Sequence, residues 1–278
     1  MSKTLYVFAS TKRPQLNLGN LGDIFGYHLL SHYAEPHNIK VIRVGINRLP
    51  PRCRNLTAAV GSIIQRFPPL VNSRKSLKIT VLGCGLIKPF RRPQALHNPR
   101  LIYKGVRGPK TQKFLSGNPK IISDPGLLMP KLYPMDAMTA HKKIGYIIHG
   151  VDRKRFFTLF PEKKVDLVVD EHSTYETFKT KLSEYQGIVS SSLHGIIFSH
   201  AYGIPVAPIQ VTHKITGGNF KFADYYGSLG HDFAGRCPVG PTTDFSSLIK
   251  NYWQPPETLI HNFQNIQEQE LNEHLNSL

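Results

Sequence analysis

The sequence predicts an α/β chain built as two doubly wound, mostly parallel halves, and three features predict it. Short runs rich in Val, Ile and Leu recur at 5–9, 41–44, 77–82, 101–106, 144–148, 165–169, 187–190 and 206–209. Helix-compatible stretches lie between them at 21–33, 56–65, 109–115, 175–185, 193–202 and 220–229. A buried strand, a helix and another buried strand make a βαβ unit, whose crossover imposes parallel pairing. The third feature is a break at 130–143, which carries Pro130, Pro134 and three lysines and follows the turn-rich Ser123-Asp124-Pro125-Gly126. The expected organisation is therefore a Rossmann-like half over 1–135 and another over 140–255. A polar helical segment at 256–278 closes the chain and can cross back onto the first half. In such halves ligands sit at the carboxyl ends of the strands, so the site is expected in the cleft between them.

Composition narrows the class. The 278 residues are 40% apolar and 19% charged, a globular mixture that excludes disordered and collagen-like chains. Three cysteines, Cys53, Cys84 and Cys237, are too few and too scattered for a disulfide framework or a cysteine zinc site. The apolar run at 5–9 is too short for a signal-peptide core, and no run approaches the ~18 residues that span a bilayer. The expectation is a cytoplasmic chain, with peripheral binding at the inner face of the cell membrane. The 35 Lys and Arg against 18 Asp and Glu give a formal charge of +17. That charge suits an anionic partner: a phosphorylated small molecule, an acidic membrane face or nucleic acid.

Four segments can carry chemistry. In Ile188-Val189-Ser190-Ser191-Ser192-Leu193-His194-Gly195 a strand runs into three serines and then a helix. Serines cap helix N-termini, and such an end also attracts anions, with His194 as a titratable group in its first turn. The same residues read equally well as a plain cap with a structural histidine. In Lys104-Gly105-Val106-Arg107-Gly108-Pro109, Arg107 stands at a strand's carboxyl end, where a guanidinium can clamp a carboxylate or phosphate. The glycine spacing there is wrong for a P-loop. Asn17-Leu18-Gly19-Asn20-Leu21-Gly22-Asp23 opens a helix, and Asp23 reads either as its N-cap or as a catalytic carboxylate. Gly217-Gly218-Asn219-Phe220-Lys221-Phe222-Ala223-Asp224 leads from a flexible hinge into an aromatic helix bearing Lys221. His28 and His32 stand four apart on one helix but lack a third ligand, Gly83-Cys84-Gly85 is not a full dinucleotide fingerprint, and the sequon at Asn55 has no secretion signal behind it. No metal and no cofactor is expected.

The ordered set of segments resembles the polysaccharide pyruvyltransferases, in particular the bacterial exopolysaccharide ketal-pyruvate transferase branch. The matching pieces are Asn20-Leu21-Gly22-Asp23, Val106-Arg107-Gly108-Pro109-Lys110-Thr111, Ser123-Asp124-Pro125-Gly126, Ile144-Gly145-Tyr146-Ile147-Ile148-His149, Ser190-Ser191-Ser192-Leu193-His194-Gly195, Ala201-Tyr202-Gly203-Ile204-Pro205 and the 217–226 segment. The resemblance implies a GT-B-like arrangement of two Rossmann-like domains with an interdomain cleft. It implies transfer of the enolpyruvyl group of phosphoenolpyruvate, with loss of phosphate, to form a pyruvate ketal on a sugar of a lipid-diphosphate-linked oligosaccharide. Many relatives carry Arg before the Leu-His-Gly, where this chain has Ser192.

Phosphoenolpyruvate carries a carboxylate and a phosphate, so its site needs fixed positive groups. The expected donor-binding residues are Arg107, Ser191, Ser192, Leu193, His194, Gly195 and Lys221. The expected acceptor-binding residues are Asn20, Gly22 and Asp23. His194 is the first choice for proton transfer, given an unperturbed pKa near ~6.5. His149 is the second choice, and Asp23 orients or deprotonates an acceptor hydroxyl. Two rivals remain. One is a GT-B-type glycosyltransferase using a sugar nucleotide. The other is a polyanion-binding protein, against which stands the lack of any RNA-binding aromatic motif, zinc finger or basic helix, so nucleic acid is not expected as a partner.

Overall fold

The computed structural model describes residues 3–9, 20–45, 48–135, 143–163 and 174–278. The strand-like run at 165–169 and the segment Asn17-Leu18-Gly19 lie outside the described residues. The first sheet contains β1 (Thr4–Phe8), β2 (Lys40–Val44), β3 (Asn55–Ala58), β4 (Lys78–Leu82), β5 (Leu101–Val106) and β6 (Lys120–Ile121). They lie in the order β2-β1-β3-β4-β5-β6, every pair parallel. The second sheet contains β7 (Lys143–Ile147), β8 (Tyr185–Ser190), β9 (Val206–Gln210) and β10 (Cys237–Pro238), again parallel, in the order β10-β9-β8-β7.

The first sheet reverses direction at β1: the chain builds outward to β2, then returns past β1 to add β3 and its successors. The segments leaving β1 and β3 must therefore turn to opposite faces, which opens a crevice above their carboxyl ends. That switch point is where the cavity described below begins.

Helices α1 (Leu21–Ala34), α2 (Phe67–Ser73) and α3 (Pro109–Gln112) connect strands of the first sheet, and α4 (Met129–Leu132) follows it. The second sheet carries α5 (Arg153–Leu159), α6 (Tyr175–Leu182), α7 (Leu193–Ala201), α8 (Phe220–Ser228) and α9 (Phe245–Asn251). The last helix, α10 (Glu257–Asn276), starts beside the second sheet. It then runs along the first, where Gln264 and Gln267 donate to the carbonyls of Leu127 and Ile122 and His274 Nε2 meets Thr57 Oγ1 at 2.9 Å. One buried apolar cluster runs from Leu5 and Val7 of β1, through α1 and Leu127–Met129, to α7, α8 and α10. No helix among the described residues is long and apolar enough to cross a membrane.

One expected element is corrected. Residues 56–65 form β3 and a loop rather than a helix. Leu56, Thr57 and Ala58 are buried on both faces between β1 and β4, and central burial overrides the helix propensity of Leu and Ala. The helix starts later, at Phe67, with Pro68 and Pro69 in a first turn that needs no N–H donors. The two-histidine helix face is packing. His28 Nδ1 lies 3.4 Å from Tyr133 Oη and the ring meets Tyr175 edge-on at 4.9 Å. Among the described residues no three His, Cys, Asp or Glu side chains gather as a ligand set.

The sheets' neighbours are locked by a buried ion pair. Arg107, at the end of β5, is fully buried, as is Asp224 of α8. Nε and Nη2 of Arg107 reach Asp224 Oδ2 at 3.0 and 2.9 Å, and Thr111 adds its N–H and hydroxyl to the same carboxylate at 2.8 and 2.6 Å. Removing one partner strands a desolvated charge, which costs about 3–5 kcal/mol. Asp224→Ala is therefore expected to lower stability by that amount in urea unfolding with an unchanged slope; a loss under about 1 kcal/mol contradicts the lock.

Candidate functional site

The site assembles from helix starts. Asn20 is the N-cap of α1: its Oδ1 accepts from Gly22 N at 3.0 Å and its carbonyl from Asp23 N and Ile24 N at 2.9 and 3.1 Å. This corrects the reading of Asp23 as the cap. With the backbone donors already served by Asn20, the Asp23 carboxylate is left to face a cavity. Gly22 is there because His194 is. A Cβ on Gly22 would fall 1.8 Å from His194 Nδ1, so the imidazole of α7 lies directly on the first turn of α1. Gly22 is itself buried under that ring.

The serine run is a clamp between β7, β8 and α7. Ser190 Oγ donates to the Ile147 carbonyl at 2.9 Å and accepts from Ser192 N at 3.0 Å. Ser191 Oγ accepts from His149 N at 3.0 Å, and Ser192 caps α7. Ser190 and Ser191 are fully buried and spend their hydroxyls on the protein. Gly195 is a packing residue too, since a Cβ there would meet Ile147 Cγ2 at 2.6 Å.

Asn20, Asp23, His149, Ser192, Leu193, His194 and Lys221 converge on one cavity of about 190 Å³. The sequence did not single out the other walls. Ser62, Ile63 and Arg66 come from the loop after β3, Ile87 from the turn after β4, Val151 from the turn after β7, and Lys214 and Thr216 from the loop after β9. Reading 56–65 as a helix hid the first group, because it placed a strand-end loop inside a helix. Arg107 does not reach the cavity. Its guanidinium stands behind Ser62, donating to Ser62 Oγ at 2.6 Å and to the Leu86 carbonyl at 2.8 Å besides its bonds to Asp224. The expected direct grip on a ligand is corrected to a place behind the wall.

The electrostatics favour an anion. The first turns of α1, α7 and α8 all contribute wall residues, so three helix N-termini bring partial positive charge to one small space. Arg66, Lys214 and Lys221 add full charges, and Asp23 is the one carboxylate among the described wall residues. Burial drives the local pKa values. It lowers Lys221 from 10.5 to about 8, helped by Arg107. It raises Asp23 from 3.8 to about 6, against the pull of Lys221 and Arg66. It lowers His194 from 6.5 to about 3, with Lys221, Arg107 and His149 pushing the same way. The expectation of a near-neutral titration for His194 is thus corrected. Near neutral pH the ring is uncharged, and among the described residues its buried Nε2 has no hydrogen-bond partner.

The sequence profile of the family described as polysaccharide pyruvyl transferase matches residues 16–213. The chain belongs to that family. An uncharacterized protein of Acanthamoeba polyphaga mimivirus is 31% identical over 178 residues, which are 59% of this chain and 60% of that protein's length. An uncharacterized protein from Klebsiella pneumoniae has a solved structure that covers 85% of this chain and 93% of its own, at 14% identity and a TM-score of 0.48. The family is one of transferases; the wall residues from Asn20 to His194 fall within the matched span, and Lys214, Thr216 and Lys221 lie just beyond it.

The raised Asp23 pKa has a definite sign. The folded state holds the proton more tightly than the unfolded chain, so this group's contribution is full below about pH 4 and is lost as pH rises through about 6. Asp23→Asn is expected to be more stable than the wild type by about 1–3 kcal/mol near pH 8, with the difference vanishing near pH 4. Denaturant unfolding at the two pH values checks this, and a destabilised variant at pH 8 refutes it.

Proposed function

We propose that the chain transfers the enolpyruvyl group of phosphoenolpyruvate onto a sugar of a lipid-diphosphate-linked oligosaccharide, forming a pyruvate ketal and releasing phosphate. The cleft between the two sheets holds the donor. The observation that carries the reading is a cavity with three cationic side chains, three helix starts and a single carboxylate. Its volume of about 190 Å³ has room for roughly six waters, the size of a small dianion. A sugar nucleotide needs a pocket closer to the ~300–1,000 Å³ of drug-sized ligands, which weighs against the glycosyltransferase alternative.

In this scheme Lys221, Lys214, Arg66 and the α7 start neutralise the donor's carboxylate and phosphate. Arg107 acts from behind Ser62, by its field and by holding α8. Burial holds His194 uncharged and the nearby cations add to it; the bound anion offsets the cations and pairs with the protonated ring, so the ring takes up a proton together with the donor. His194 then protonates the methylene carbon, which becomes the methyl group, and positive charge develops at the central carbon. An acceptor hydroxyl attacks that carbon while Asp23 removes its proton, and the second hydroxyl completes the ketal as the carbon–oxygen bond to phosphate breaks. Of the two hydroxyl protons, one restores His194 and the other leaves with phosphate. His149 stands at the rim as the second proton carrier. Acceptor sugars meet Asn20 and Asp23, while Gly22 acts by making room for the ring.

Two measurements test this. Calorimetry of phosphoenolpyruvate binding near pH 7 in buffers of different ionisation enthalpy should show uptake of up to one proton, and His194→Asn should abolish the uptake. Phosphate release should fall about 10²–10⁴-fold in His194→Asn and in Asp23→Asn, general acid–base groups being worth that much. Binding without proton uptake, or near-normal turnover in either variant, defeats the assignment.

A further inference from the structure

Two side chains at helix starts do not perform the usual task of that position. Asp152 stands directly ahead of α5 and Asn219 directly ahead of α8, where such an oxygen normally accepts from the helix's first N–H groups. Neither side chain makes that bond. Asp152 Oδ1 accepts instead from the hydroxyl of Thr212, in the loop after β9. Thr212 Oγ1 accepts in turn from Lys214 N at 3.1 Å. Asn219 Oδ1 accepts from Nε of Arg236, the residue directly ahead of β10, at 2.9 Å. Each diverted oxygen leads to a cavity lysine: Asp152 through Thr212 to Lys214, and Asn219 to Lys221 two residues on. A ring strengthens the second arm, since Arg236 Cζ lies 4.8 Å and Lys221 Nζ 5.5 Å from the centroid of Phe222.

The ordinary explanation for buried charge here is a structural lock, as at Arg107 and Asp224. That pair meets directly and leaves neither side chain with an unserved buried polar atom. Asp152 and Arg236 differ. They are 0% and 5% exposed and form no ion pair with each other. Among the described residues Asp152 Oδ2 and Arg236 Nη1 have no hydrogen-bond partner. Two desolvated groups, each with a spare polar atom, make a costly lock. Their cost is explained by what they hold, which is the two loops that carry the lysines.

We infer that Asp152 and Arg236 are positioning residues that set how far apart Lys214 and Lys221 stand, and so which spacing of two anionic groups the cavity accepts. Neither is a wall residue; each acts through a lysine that is. A ligand with one anionic group can settle beside either lysine, whereas a ligand with two needs both cations placed at once, and fixing them beforehand lowers the cost of binding it. The inference rests on the anion-binding reading of the cavity and adds to it a preference for small molecules carrying two anionic groups over those carrying one.

Calorimetry on the full chain with phosphoenolpyruvate and with inorganic phosphate tests this. The wild type is expected to bind phosphoenolpyruvate the more tightly. Thr212→Val cuts the first arm and Asn219→Ala the second, and neither changes the charge of the protein. Each should weaken phosphoenolpyruvate binding on the order of 10-fold and leave phosphate binding within about 2-fold, since one contact is misplaced and no cation is lost. Thr212→Ser, which keeps the hydroxyl, should bind like the wild type. Thermal melts confirm that the variants are folded, and Asn219, exposed in the wild type, keeps the test open if the valine variant unfolds. Variants that keep the wild-type preference, or that lose both ligands equally, overturn the inference. A wild type that binds both ligands equally overturns it too while leaving the anion site standing, and one that binds neither defeats the reading of the cavity as well.

Discussion

Arg107 and Asp224 stand 117 residues apart in sequence and meet with no exposed surface on either. A buried ion pair of this kind adds little net stability over an apolar contact, but it tolerates only one geometry, because every donor and acceptor left over must be served. Here Thr111, Ser62 and the Leu86 carbonyl serve them. The neighbouring backbone is shaped to suit. A Cβ on Gly108 would fall 1.8 Å from the Asp224 carbonyl oxygen, and one on Gly85 would fall 2.3 Å from Arg107 Cζ. The pair thus fixes α8 against β5 and α3, and with α8 it fixes Lys221 at the cavity wall. The guanidinium looks like a ligand clamp in the sequence because it sits at a strand's carboxyl end, and its actual work is to hold the lysine that does face the cavity.

Burial sets the chemistry of the wall, and it acts in opposite directions on groups of opposite sign. The same loss of solvation that holds Lys221 and His194 toward their neutral forms holds Asp23 toward its protonated form. Among the described wall residues the cations outnumber the single carboxylate, an imbalance of the kind that an anion relieves.

Much of this was legible from residues. The alternation of short apolar runs with helical spacing follows directly from a parallel sheet buried on both faces, and α1, α6, α7, α8 and α10 begin within a residue or so of their expected starts. Asp23, His149, Ser192, His194 and Lys221 were picked out because they follow strands or open helices, and the folded chain brings them together. What could not be read depended on contacts distant in sequence. Whether Asn20 or Asp23 caps α1 is decided by one hydrogen bond, and the buried fate of Arg107 is decided by an aspartate on another helix. The run 56–65 carries residues common in helices, and only its place between two other strands makes it β. The depth of the shift at His194 likewise comes from burial in contacts distant in sequence, such as the first turn of α1 at Gly22.

Helix α10 has a mechanical consequence. Just ahead of it, Gln254 grips the backbone of β9 twice, with Oε1 accepting from Val206 N and Nε2 donating to Val206 O. Twenty residues further on, the same rod is pinned to β3 through His274 and Thr57. A stiff bar of about 30 Å, fastened at both ends to different sheets, behaves as a tie beam. Pulling the two sheets apart would have to break the hydrogen bonds at one end of it or the other.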